Sequence, residues 1–188
     1  INLKKALLNL ILIGSIPLII LGFILFKYNL IYLLRDLKII AWTTLIFAIL
    51  LYFSDKKSSF KTINKNLSTK NIIWIGIFQG LAIIPGVSRS GIVITACRFL
   101  KFKREEAAKI SFFLSIPALL GASTLSLGDM MGNKIEFNLI IVIAICSSFL
   151  FSILTIKIFL NFLKKFSLTV FVYYRIIISV LLFTVAYS

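Results

Sequence analysis

The sequence predicts an all-α integral membrane protein, a multi-span helical bundle with one re-entrant helix hairpin. Three observations carry this. The 188 residues are 60% hydrophobic with a mean hydropathy of +1.07, far above a soluble domain. The apolar residues come in long runs separated by short basic loops. One run is broken at its middle by Pro85-Gly86-Val87-Ser88-Arg89-Ser90-Gly91.

Taken in chain order, Ala6–Phe26, Lys38–Phe53, Ile110–Leu127, Phe137–Leu160 and Leu168–Tyr187 read as complete spans. Most approach the ~20 residues a helix needs to cross a bilayer, and Pro17 and Pro117 should kink theirs. The segment from Asn71 to Leu100 differs. Ile72–Ile84 and Ser90–Leu100 are each too short to cross, and a Pro-Gly tip divides them. Two half-helices meeting at such a tip describe a re-entrant hairpin, tolerated at depth only where it lines a protected polar cavity. Asp55–Lys70 reads as a solvated basic loop without catalytic content. The chain is thus one membrane domain: residues 1–54 with two spans, 55–70 as the loop, and 71–188 with the hairpin and three spans.

The charge distribution supports the hairpin. The chain has 21 Lys and Arg against 6 Asp and Glu. With a hairpin, Lys4–Lys5, Asp55–Lys70, Lys101–Glu106 and Asn161–Ser167 share one side and hold 12 Lys and Arg, against 4 opposite. A single crossing helix at Asn71–Leu100 would leave 8 on each side. The 12-residue side is then cytoplasmic, and its cations meet anionic headgroups. The same charge in a soluble protein would point to nucleic acid, but no RNA- or DNA-binding motif accompanies it.

An arginine at membrane depth costs ~2.5–3.5 kcal/mol and implies a function. Arg89 sits between two serines and two glycines, where a helix opens. Guanidinium, hydroxyls and helix N-terminal amides together suit an anion, most naturally a phosphate. Ser88 and Ser90 are candidate donors, and either also serves as an N-cap. Gly86 and Gly91 permit close backbone approach. Thr95 ranks low, six residues further along the half-helix. Arg98, Lys101, Lys103 and Arg104 read as interfacial anchors, and Arg175, inside the last span, as structural. Cys97 and Cys146 read as small buried hydrophobes. The chain has no histidine, and all six acids lie in loops or at span ends. No metal ligand set is evident, and a base for phosphoanhydride cleavage is missing beside Arg89.

The run from Gln79 through Gly91, the run from Ala107 through Pro117 and the pair Tyr174-Arg175 resemble the bacitracin-resistance type of undecaprenyl-diphosphatase. The resemblance covers essentially the whole chain. It implies a multi-pass enzyme of the bacterial cytoplasmic membrane that converts undecaprenyl diphosphate to the monophosphate, recycling the lipid carrier of peptidoglycan synthesis. It also implies two inverted repeats and a site that faces the periplasm where two hairpins meet. The Ser-Arg-Ser element of the second hairpin lands on Ser88, Arg89 and Ser90, and a divalent cation, Mg2+ or Ca2+, is associated with activity. Two departures stand out. The glutamate-rich first hairpin is missing, so the chain reads as N-terminally truncated, holding the phosphate-clamp half of the enzyme and incomplete by itself, and Val93 stands where family members often carry threonine. A transporter or scramblase of a phosphorylated lipid, and a non-catalytic remnant, stay open as alternatives. Oligomeric state is also open, a homodimer included.

The topology has a direct test. Single cysteines at Ser58 and Ser167 should be shielded from an impermeant thiol reagent in intact cells, whereas one at Asn133 should label. Labelling at Ser58 would reverse the orientation.

Overall fold

The computed structural model describes residues 3–28, 34–130 and 139–187. They form eight helices: α1 (Leu3–Lys27), α2 (Leu37–Asp55), α3 (Ile63–Asn66), α4 (Thr69–Gly80), α5 (Arg89–Phe99), α6 (Arg104–Met130), α7 (Leu139–Lys165) and α8 (Thr169–Tyr187). Five of these, all but α3, α4 and α5, are long and apolar enough to span a bilayer. They match the five expected spans, and α6 begins six residues earlier because Arg104–Lys109 continues as a polar helical turn. Both Pro17 and Pro117 lie inside unbroken helices. The expected outer loop around Lys134 falls outside the described residues. The surface is rich in exposed Leu, Ile and Phe, and only Leu163 of α7 is buried. Such an exterior suits lipid as its solvent. The protein is a multi-pass helical membrane protein.

The interrupted segment folds as two short helices on either side of Pro85-Gly86. Helix α4 has 12 residues and α5 has 11, so each is only ~16–18 Å long. A 3-10 turn at Leu81–Ile83 and a turn through Gly86 (φ +88°) join them. Lys70, Asn71 and Trp74 at the start of α4 gather around Leu100 at the end of α5, so the pair forms an antiparallel hairpin. One hairpin of this kind is present among the described residues. The inverted-repeat pairing therefore stands only as an implication of the resemblance.

Small residues let the neighbouring helices close on this hairpin. Gly76 of α4 abuts the backbone oxygen of Gly14 in α1, and a Cβ on Gly14 would lie 2.8 Å from Ile72. Close approach of this kind is how helices gain packing energy without a water-driven hydrophobic force. On the other side, α2 runs antiparallel to α8. Ser179 of α8 donates a 2.9 Å hydrogen bond to Ala41 O, and Leu168 at its start reaches Asp55 at the end of α2.

The base of the hairpin is tied by Asp55, and here two readings of the sequence need correction. Asp55 is buried, not solvated with the loop that follows it. Arg98 is 2% exposed, so it is no interfacial anchor. Arg104 donates to both Asp55 oxygens, Nε at 2.8 Å and Nη2 at 3.0 Å, and Leu168 N–H adds a third bond of 3.0 Å. Arg98 Nε lies 3.1 Å from Oδ1 but is too poorly aligned for a hydrogen bond. Its two Nη atoms instead donate to Phe102 O, Asp55 O and Lys57 O at 2.8–2.9 Å. The loop is stitched to the same corner, since Phe60 and Lys61 N–H both reach Lys101 O.

Removing one partner of a buried ion cluster typically costs ~3–5 kcal/mol, against ~0–1 kcal/mol for an exposed pair. Asp55→Asn should therefore lower the unfolding temperature in detergent sharply or prevent accumulation. Glu105→Gln, which removes the more exposed pair with Lys109, should barely move it.

Candidate diphosphate site

The tip of the hairpin is held as firmly as its base. Thr43 Oγ1 of α2 donates to Pro85 O at 2.6 Å. Gly86 O accepts from Thr44 Oγ1 at 3.3 Å and from Arg175 Nη2 of α8 at 2.6 Å. Gly86 is required here twice over. Its φ lies in the left-handed region, and a Cβ would run into Thr43 Oγ1 and come within 2.7 Å of Ile40 O.

Ser88 caps α5: its Oγ accepts from Gly91 N–H at 3.3 Å. Its backbone sits at φ 66°, ψ 109°, an unusual conformation for a residue with a Cβ. The strain is held by the fixed tip before it and the helix after it. Gly91 lets Arg175 come close, since a Cβ there would lie 3.0 Å from Nη1.

Between the tip, α2, α7 and α8 lies a cavity of about 310 Å³. Its polar lining is Thr44, Gly86, Ser88, Ser90, Gly91, Tyr174 and Arg175. Four of the expected site residues, Gly86, Ser88, Ser90 and Gly91, thus come together. Arg89 is half-buried beside them and is not part of the lining; among the described residues its guanidinium has no hydrogen-bond partner. Thr95 is apart from the group. It is 1% exposed, and its hydroxyl is spent on Gly91 O at 2.8 Å. Val93 is likewise buried in the core.

The site residue that sequence reasoning undervalued is Arg175. It is 8% exposed, lines the cavity and grips the tip through Gly86. The signal was present, an arginine within an apolar span next to Tyr174. Which face of α8 it occupies was not readable from the sequence. Cys97 is buried as expected, whereas Cys146 is exposed on the outer surface of α7.

Chemically, the arrangement suits an anion: two serine hydroxyls, a helix N-terminus and the Arg175 guanidinium around one concavity, with Arg89 beside it. No carboxylate lines it among the described residues. Its donors are hydroxyls, amides and arginines, a set that repels a divalent cation, so these residues do not fit the cation that the resemblance implies. No group of three or more His, Cys, Asp or Glu able to hold a metal exists among the described residues.

The sequence profile of the bacitracin resistance protein BacA matches residues 2–181. An undecaprenyl-diphosphatase of Pelagibacter ubique is 54% identical over 186 residues, which is 98% of this chain and 73% of that protein. One of Elusimicrobium minutum is 38% identical over 94% of the chain and 67% of its own length, and one of a Jannaschia species 35% over 95% and 67%. With nearly the full length matched, and with the broken hairpin and its Ser-Arg-Ser tip inside that match, the chain belongs to the bacitracin resistance protein BacA family.

Proposed function

We propose that the protein hydrolyses undecaprenyl diphosphate to undecaprenyl phosphate and inorganic phosphate, the activity for which the relatives are named. The observation that carries this is the cavity at the hairpin tip, which joins the capped start of α5, two serine hydroxyls and Arg175 at mid-depth of the bundle. A transporter of a phosphorylated lipid has less support, because relatives matched over two thirds or more of their length carry the name of a hydrolase.

In the reaction, a water oxygen bonds to the terminal phosphorus while the bond to the bridging oxygen breaks, and the water's protons end on the released phosphate and in solvent. The monophosphate leaves with the bridging oxygen. Negative charge grows on that oxygen and spreads over the transferred group, and hydrogen-bond donors aimed at it lower the barrier. In this reading Ser88 and Ser90 donate to one phosphate, and Arg89, beside the cavity and without a hydrogen-bond partner among the described residues, pairs bidentately with another. Arg175 holds Gly86 and faces the same concavity. The described residues thus bind, orient and stabilise charge, and no step is routed through a metal. We read the hairpin as re-entrant, entering from the basic face. The positive-inside distribution then puts that face in the cytoplasm of the bacterial inner membrane and turns the tip toward the periplasm.

The test is phosphate release from undecaprenyl diphosphate, normalised to folded protein. Arg89→Ala should abolish it, and Arg89→Lys should lose most of it, because an ammonium cannot hold two oxygens in the plane of a guanidinium. Ser90→Ala should cost one hydrogen bond, ~1 kcal/mol or roughly fivefold. Full activity in a well-folded Arg89→Ala protein would remove the tip from the mechanism. Ser88 separates strain from chemistry: Ser88→Gly relieves the backbone while Ser88→Ala does not, so both should lose activity but only the alanine variant should also lose stability.

A further inference from the structure

Most of the apolar lining of the cavity lies on one side of the tip. It comprises Leu51, Ile94, Phe159, Leu168, Phe171 and Ile178, and all of these but Ile178 lie toward the Asp55 end. Ile94 is one turn beyond Ser90 toward the end of α5, and Leu51 is two turns beyond Thr44 toward the end of α2. Leu168 immediately precedes α8, seven residues and therefore ~10 Å before Arg175. Leu168 N–H is bonded to Asp55, which fixes this end of the cavity at the base of the hairpin. Phe159 and Phe171 meet edge to face with ring centroids 5.4 Å apart, and α7, which supplies Phe159, buries only Leu163.

We infer that this apolar half holds the first isoprene units of the substrate, with the tail directed from the tip toward the Asp55 end of the bundle and leaving between α7 and α8. The inference rests on the diphosphate reading of the tip. Small-molecule sites combine an apolar lining with a few placed polar groups, and about 310 Å³ is at the small end of their range. The cavity therefore grips the diphosphate and the start of the chain, and the rest of a long polyprenyl tail lies in the bilayer. The direction also selects a leaflet. A lipid whose head lies on the side away from the basic loops has its tail already pointing toward them. A lipid of the basic-side leaflet would have to invert to fit.

The experiment is photolabelling of the whole chain in detergent with a geranyl diphosphate analogue carrying a diazirine on its second isoprene unit. Adducts should map to Phe159, Leu168 or Phe171 and disappear with excess unlabelled farnesyl diphosphate. Adducts that the competitor suppresses but that map to α8 beyond Ile178, or to α2 before Thr44, would overturn the tail direction and leave the diphosphate site standing. Adducts that the competitor does not suppress would overturn the diphosphate reading and this proposal with it. In turnover assays on farnesyl diphosphate, Phe171→Ala or Phe159→Ala should raise KM ~10-fold or more with little change in kcat, as expected when uniform apolar binding is lost. Ile116→Ala, on the exposed surface of α6, should leave both constants unchanged. An unaltered KM in both folded phenylalanine variants would also overturn the subsite.

Discussion

The buried carboxylate of Asp55 is the constraint on which the bundle depends. A lone charge in this position would be too costly to keep, and the protein surrounds it with an ion-pair partner, Arg98 at the end of α5, and with donors from Arg104 at the start of α6 and the backbone of Leu168 at the α7–α8 turn. Arg98 in turn satisfies three backbone carbonyls that the turns after α2 and α5 would otherwise leave open. Hydrophobic contact alone could not fix the depth of a short hairpin, because lipid is as apolar as the helices it would slide against. A set of directional bonds at the base does so.

With the base anchored, the tip can carry irregular backbone. Pro85 and Gly86 are received by Thr43, Thr44 and Arg175, so carbonyls that no helix satisfies are still bonded. Ser88 holds a strained conformation because both sides of it are fixed. The result is a helix N-terminus with two serine hydroxyls and the Arg175 guanidinium facing one cavity.

Much of this was legible in the sequence. Span lengths and the Pro-Gly interruption gave the helices and the hairpin, because hydropathy and turn chemistry are local properties. Gly86, Ser88, Ser90 and Gly91 were legible for the same reason. Asp55 and Arg98 were not. Each sits where a loop acid or an anchoring cation ordinarily sits, and their pairing joins residues 43 apart in the chain. Arg175 was half legible: its place in an apolar span marked it, but only the antiparallel packing of α8 on α2 brings it to Gly86. Thr95 failed because a helix turns ~100° per residue, and its hydroxyl faces back to Gly91 O.

The most direct measurement is an experimental structure with a methylene-bridged, non-hydrolysable polyprenyl diphosphonate. The account predicts phosphonate oxygens within hydrogen-bond distance of the Ser88 and Ser90 hydroxyls and of an Arg89 or Arg175 guanidinium, with the tail running past Phe171 toward Leu168. A diphosphonate seated instead in the polar cavity among Lys103, Lys109 and Lys164 at the basic face would contradict it.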